Sequence, residues 1–412
     1  MHTKVWYPYQ QMQERDQFPI VEKAQGCILS IKDGPNLIDA ISSWWCVIHG
    51  YNHPEINKAI TDQLQSVSHV MMGGITNQAA EDLAQKLISI SPEGLNHVFF
   101  SDSGSVGIEV ALKMAIQYHS NKRQPRKHIL SLNKSYHGDT FKTMEVGDDP
   151  CYHGAFIDLF DNRSYIKPPY GWPSDEIESS IIELRREIEK HKDNIAAFIV
   201  EPLLQGAGGF RIYDPEFLNQ AYSICKEYDI LMIFDEVATG FGRTGKMFAA
   251  DYCNFTPDIM VLSKALTAGY IGHAATLATD NVFSSFNGNS DANALMHGPT
   301  FSGNPLACST ALKSIEIFEK EGYIARIKEI ESKIKTTLQQ INHPNIKAKR
   351  FLGACGVIEV YEDRQLDGFQ QHAWDQGVWM RPFEEYVYLM PPYIISDDQL
   401  DKILQCLKTW FE

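Results

Sequence analysis

The sequence predicts an α/β protein: a large domain on a mostly parallel central sheet, with a smaller α+β domain assembled from the two chain ends. Three observations carry this expectation. Short apolar runs alternate with segments of helical periodicity between about residue 97 and residue 278, the pattern of parallel strands covered by helices on both faces. One of those runs finishes on two acids, Asp235-Glu236, as suits the carboxyl edge of an open sheet, where ligands gather. From Pro305 the pattern turns helical and then ends in a mixed segment, which marks a second unit.

Taken in order, residues 1 to about 50 are aromatic and turn-rich and are assigned as an N-terminal segment joining the small domain. A helix is predicted from Pro54, a residue suited to a first helical turn, with Ile56, Ile60, Leu64 and Val67 on one face. Asn77 is placed as the cap of a second helix running to about Ile90. His97-Val98-Phe99-Phe100 reads as a strand, followed by Ser101-Asp102-Ser103-Gly104-Ser105 and a helix with Val106, Val110, Met114 and Tyr118 at four-residue steps. Strands follow at 128–132, 195–200, 230–234, 259–262 and 274–278, with helices near 174–191 and 214–228. The large domain is bounded at 51–304. The small domain, 305–412, is expected to hold helices at 305–320 and about 322–340, strands near 356–360 and 386–389, and a last helix from Asp397.

The bulk properties bound the function. At 412 residues the chain can hold a large core with a smaller satellite. A 44% hydrophobic and 22% charged composition is that of a soluble globular protein. A formal net charge of -15 argues against nucleic acid or an anionic membrane as a main partner. No run approaches membrane-spanning length, and the N-terminus lacks the apolar core of a signal peptide. The eight cysteines are scattered without a C-x-x-C pair, which indicates neither a metal site nor a disulfide framework but reduced thiols in the cytoplasm.

The chemistry is expected at the strand ends. Ile259-Met260-Val261-Leu262-Ser263-Lys264 is a strand-like run that ends on a lysine; desolvation there would lower the ammonium pKa and leave an amine able to form a Schiff base. Ser103-Gly104-Ser105 opens a helix, where backbone N–H groups and hydroxyls suit a phosphate or, equally, a simple N-cap. Tyr136, after the 128–132 strand, could stack on a flat cofactor. Asp235 could hold a metal or keep a heterocyclic nitrogen protonated. Thr300 could donate to an anion, and Arg381, in an apolar neighbourhood, suits a carboxylate clamp or a structural ion pair. Trp44-Trp45 reads as core or pocket wall. Gly240-Phe241-Gly242-Arg243-Thr244-Gly245-Lys246 meets part of the P-loop spacing, but Met247 stands where Ser or Thr is required, and five residues separate it from its strand.

Together these stretches resemble the class III pyridoxal-phosphate aminotransferases of fold-type I. The signature region is Asp235-Glu236-Val-Ala-Thr-Gly-Phe-Gly-Arg243-Thr-Gly with Leu262-Ser263-Lys264-Ala265-Leu266. Within that class, Ser42-Ser43-Trp44-Trp45, His49-Gly-Tyr-Asn-His53-Pro54, Ser101-Asp-Ser-Gly-Ser105, Tyr136-His-Gly-Asp139-Thr, His297-Gly-Pro-Thr300-Phe and Tyr388-Leu-Met-Pro-Pro-Tyr393 are similar to the adenosylmethionine–8-amino-7-oxononanoate aminotransferases, the diaminopelargonate synthases of biotin biosynthesis.

The resemblance implies pyridoxal 5'-phosphate as cofactor and Lys264 as Schiff-base lysine and proton carrier. It further implies Gly104 and Ser105 on the phosphate, Tyr136 on the ring and Asp235 at the pyridine nitrogen. Pro299 and Thr300 would complete the phosphate site of the other subunit in a homodimer. Trp44, Trp45 and Gly298 would line the substrate pocket, Arg381 would hold the acceptor's carboxylate, and Tyr9 and Tyr388 would accommodate two dissimilar substrates. The implied reaction moves the amino group of S-adenosylmethionine to 8-amino-7-oxononanoate. Lysine as donor, another class III ω-aminotransferase and, remotely, a P-loop triphosphatase are the alternatives. The sequence departs from the family at Ser263, where glycine is usual, and at Thr267-Ala268-Gly269, which bears on local backbone shape.

Overall fold

The computed structural model describes residues 4–13, 18–161 and 163–412; residues 1–3 of the N-terminal segment, and 14–17 within it, lie outside the described residues. Among those described, a seven-stranded sheet runs in the order Leu95–Ser101, Ala274–Thr279, Ile259–Leu262, Leu231–Asp235, Ile195–Val200, His128–Leu132, Tyr165–Ile166. Every residue of Ile195–Val200 is buried, which is why this central strand reads as an unbroken apolar run. Its neighbour pairs in parallel, Leu231 opposite Ala197, and the next pairs in parallel again, Asp235 opposite Val261.

One strand is reversed. Ala274–Thr279 pairs antiparallel with both of its neighbours. Its direction is invisible in the sequence because a strand buried on both faces has the same apolar run in either orientation.

The helices fall where their caps and periodicities predict them. Pro54–Leu64 opens on its proline, and Asn77 Oδ1 accepts the Ala80 N–H at 3.0 Å at the start of Gln78–Ile90. The first helix stops short of Val67, which is exposed. Gly104–Asn121 lies across the central sheet, and Ile177–His191 packs on Pro215–Glu227. Pro305–Lys320, Tyr323–Gln340 and Asp397–Phe411 complete the long helices of the C-terminal part.

Two smaller sheets contain strands that the sequence pattern concealed. Val21–Gln25, Ile28–Ile31 and Asn36–Asp39 pair in succession, and Val378–Trp379 from the far end of the chain adds in parallel, with Ile38 opposite Val378. Ile346–Leu352 pairs with Cys355–Val360, which pairs with Tyr386–Leu389. Ile346–Leu352 carries Lys347, Lys349 and Arg350; charges protect an edge strand from unwanted pairing but erase the apolar alternation by which strands are recognised.

The P-loop alternative loses its structural context. Gly240–Lys246 runs through turns into a single 3-10 turn at Ala249–Tyr252, not into a helix. Lys246 sits 4.2 Å over the Tyr252 ring and donates to the Asp251 carbonyl.

Candidate active site

Five strand ends deliver the site. Leu95–Ser101 leads to Gly104 and Ser105, His128–Leu132 to Tyr136, and Ile195–Val200 to Glu201. Leu231–Asp235 ends on Asp235, and Ile259–Leu262 runs into Lys264. The parallel strands leave the sheet at a common edge, so these side chains line one cavity of about 630 Å³. A second cavity of about 860 Å³ adjoins it and shares Trp45, Tyr136 and Lys264. Tyr9, Trp44, Arg381 and Tyr388 line the second cavity.

Lys264 is the chemical centre. Burial pulls its ammonium down to about 8, against the opposing pull of Asp235, Glu201 and Cys46, while Arg243 lowers it further. The ring of Trp45 faces its Nζ at 4.0 Å. Lys264 itself lies in the left-handed region, at φ 45°, and Ala268 follows at φ 50°. Ser263, the departure from the family pattern, is extended at φ -160° and donates from Oγ to the His273 carbonyl at 2.7 Å. The unusual backbone is therefore at the lysine, not at the serine before it.

Asp235 is buried and doubly held. His137 Nδ1 lies 2.7 Å from Oδ2, and the Val237 N–H donates to Oδ1 at 3.1 Å. Glu201 accepts the N–H groups of Tyr136 and Gly206 at 3.0 and 2.8 Å, and burial raises it to about 7. Burial also drives the Tyr136 phenol far above its ordinary value, aided by its hydrogen bond to Tyr9. Tyr9 in turn donates to Asp139, which His153 approaches at 3.2 Å.

At the other end, Ser103 Oγ accepts the Val106 N–H at 3.3 Å and caps the helix. That role falls to Ser103, so Gly104 and Ser105 face the cavity. Gly138, at φ 126°, backs this corner; a Cβ there would lie 2.2 Å from Ser105 Oγ. The free backbone N–H groups and the dipole at a helix N-terminus suit an anion.

The wall carrying the two tryptophans is unusual. Ser42, Ser43, Trp44 and Trp45 have φ of 47°, 44°, 58° and 74°, one turn of left-handed helix. The Trp45 N–H reaches the Ile41 carbonyl at 3.0 Å and the Cys46 N–H reaches Ser42 at 2.9 Å. At about 1–2 kcal/mol for each L-residue, such a turn costs roughly 4–8 kcal/mol, so surrounding contacts must hold it. Both indoles line the second cavity, Trp44 with 48% of its surface exposed; neither is a core residue.

The structure thus brings together Lys264, Asp235, Tyr136, Gly104 and Ser105 around one cavity and Tyr9, Trp44, Trp45, Arg381 and Tyr388 around the next. It does not bring Gly298, Pro299 or Thr300 to either; Gly298 and Thr300 are exposed on the surface. Glu201 and His137 were not singled out in the sequence. Glu201 carries the same signal as Asp235, an acid directly after an apolar strand, and His137 stands next to Tyr136.

Comparison with known proteins is consistent with this geometry. The model of the family described as aminotransferase class-III matches residues 9–411. The adenosylmethionine-8-amino-7-oxononanoate aminotransferase of Buchnera aphidicola subsp. Acyrthosiphon pisum is 42% identical, over 98% of this chain and 94% of its own. The crystal structure of the enzyme of that name from Methanocaldococcus jannaschii is 33% identical with a TM-score of 0.92, covering 99% of this chain and 96% of its own. An amine transaminase from an uncultivated Pseudomonas species, in its pyridoxal-phosphate-bound form, is 28% identical with a TM-score of 0.93, covering 100% and 99%.

Proposed function

This chain belongs to the class III aminotransferase family, and from that premise we propose what it acts on and how its residues divide the work. It is a fold-type I, pyridoxal-5'-phosphate-dependent transaminase. Its reaction transfers the amino group of S-adenosylmethionine to 8-amino-7-oxononanoate, giving 7,8-diaminononanoate in biotin biosynthesis. When bound, the cofactor supplies an aldehyde for amine exchange and a ring that accepts the electron pair left at the substrate's Cα.

The residues present fit that group. The helix start at Gly104 and Ser105 receives the phosphate, with Gly138 leaving Ser105 its place. Tyr136 would pack on the ring, and Asp235, fixed by His137, would hold the pyridine nitrogen protonated. Lys264 would hold the cofactor's aldehyde in the resting enzyme and, once displaced as a free amine, would carry the proton taken from the substrate's Cα. A group that must act as base and then as acid works best with a pKa near ambient pH. The observation that carries this reading is the buried Lys264 amine, held down to about 8 across one cavity from Asp235.

Arg381 takes the carboxylate of the oxononanoate, and Trp44, Trp45, Tyr9 and Tyr388 accommodate both substrates in the second cavity. Gly298, Pro299 and Thr300 serve the site of a partner copy in a homodimer, which accounts for their distance from the cavities of their own chain. The proposed domain organisation is 1–50, 51–304 and 305–412, supported by the pairing of Asn36–Asp39 with Val378–Trp379. Among the described residues, no helix is long and apolar enough to cross a membrane; the proposed location is the cytoplasm.

The test is a half-reaction. S-adenosylmethionine added to the holoenzyme should convert the visible absorption of the lysine-bound cofactor to that of its amine form, and lysine at equal concentration should not. Conversion by lysine alone would overturn the assignment of the donor.

A further inference from the structure

The left-handed turn at Ser42–Trp45 is held largely by one side chain. Asp39 ends the strand Asn36–Asp39 and is completely buried. Its Oδ1 accepts the Ile41 N–H at 2.9 Å, and its Oδ2 accepts the Ser43 N–H at 3.0 Å and the Tyr51 hydroxyl at 2.5 Å. Tyr51 also lies 2.5 Å from Ser43 Oγ, and Ser42 Oγ donates to the Met390 carbonyl at 2.7 Å. A carboxylate that gathers the N–H group just before a turn and one inside it is shaped to stabilise backbone that would otherwise unwind.

What the turn presents is functional surface. Trp45 meets the Lys264 amine at 4.0 Å and packs edge-on against Phe210 and Tyr388 at 5.7 and 6.4 Å; Trp44 meets Tyr9 at 6.1 Å. The same corner is tied to the strand that leads to Arg381, since Asp39 pairs with Trp379 and the Ala40 N–H reaches the Trp379 carbonyl at 3.1 Å. Relaxing Ser42–Trp45 to right-handed backbone would swing both indoles off the cavity while leaving the phosphate corner, built from other elements, in place.

From this geometry we infer that Asp39, backed by Tyr51, is a positioning residue for substrate binding: it locks the left-handed turn that holds Trp44 and Trp45 against the second cavity and the Lys264 amine. Asp39 touches no reacting atom and acts through the turn. The inference rests on the transaminase reading for its kinetic consequence, not for its structural one.

The test compares Asp39→Asn, Tyr51→Phe and the double variant Asp39→Asn/Ser43→Gly. Asparagine keeps the size but replaces one acceptor by a donor facing donors. Glycine at 43 tolerates the left-handed φ without a Cβ. In protein labelled with 5-fluorotryptophan, without cofactor, the ¹⁹F resonances of Trp44 and Trp45 should move or broaden in Asp39→Asn while the other five hold. In holoenzyme the KM values should rise tenfold or more, with kcat changed less and cofactor affinity retained; Tyr51→Phe should move KM in the same direction by a smaller factor. Adding Ser43→Gly should return at least half of the lost kcat/KM.

A purely structural role predicts lower thermal stability with wild-type KM and wild-type Trp44 and Trp45 resonances, and that result overturns the inference. If Asp39→Asn fails to fold, unchanged KM and resonances in Tyr51→Phe overturn it equally. Absence of transamination in the wild type would contradict the functional reading instead, and the fluorine spectra would still decide the role of Asp39.

Discussion

At the residue scale the chemistry turns on how the Lys264 amine is poised. A lysine after an apolar run is legible in the sequence, but its left-handed backbone and the indole over its amine are not. The indole belongs to Trp45, far away in the chain. The pKa of about 8 has a direct consequence in the apoprotein. Below that value the ammonium form predominates, and the reactive fraction falls tenfold for each pH unit. The rate at which an amine-selective reagent labels Lys264, followed by peptide mapping, should therefore rise with pH and level off above about 8. Asp235 holds the ammonium form up, so Asp235→Asn should move that midpoint lower; a rise would mean that the charge of Asp235 is not felt at the amine. Lys264→Ala should retain the fold by circular dichroism and lose turnover by a factor of at least about 10²–10⁴, the usual worth of a positioned acid–base group.

At the scale of elements, the long helices and buried strands were legible because their caps and periods are local properties. Pro54, Asn77 and Pro305 each begin a helix where their chemistry requires. Among the strands that went unseen, Val21–Gln25 and Ile346–Leu352 are edge strands, and the second carries Lys347, Lys349 and Arg350, which hide its alternation. The anion corner combines both kinds of information: Ser103 signals the helix start, but only the fold shows Gly138 backing onto Ser105. Replacing Gly138 with alanine places a Cβ into Ser105 at a φ that disfavours side chains, a strain of about 1–3 kcal/mol. Cofactor titration of Gly138→Ala should show pyridoxal phosphate bound at least several-fold more weakly, with little change in helix content. Wild-type affinity would mean that Ser105 does not hold the phosphate. Asn77→Ala, which removes the cap on the Ala80 N–H and the hydrogen bond to the Gly303 carbonyl, should cost about 1 kcal/mol of stability, read as a lower midpoint of thermal unfolding.

At the scale of the whole molecule, the parallel sheet was predictable from the alternation of runs, and its carboxyl edge brings Ser105, Tyr136, Glu201, Asp235 and Lys264 to one cavity. The reversal of Ala274–Thr279 was not predictable, nor was the four-stranded sheet that unites Asn36–Asp39 with Val378–Trp379 and so sets the tryptophan turn beside Arg381. Gly298, Pro299 and Thr300 belong to this scale too, because they line neither cavity of their own chain and Gly298 and Thr300 are exposed. If they complete a partner's site, Thr300→Ala and Lys264→Ala subunits, each impaired alone, should regain activity when refolded together, since one site of each hybrid would be intact. No recovery, with hybrids demonstrated by native mass spectrometry, would place Thr300 outside the shared site. The central claim, that this site moves an amino group onto 8-amino-7-oxononanoate, is tested most directly by mass spectrometry of the product. Purified holoenzyme given S-adenosylmethionine and 8-amino-7-oxononanoate should form 7,8-diaminononanoate over many turnovers, and Lys264→Ala should not; absence of the diamine with the native enzyme, or equal formation by the variant, would contradict the account.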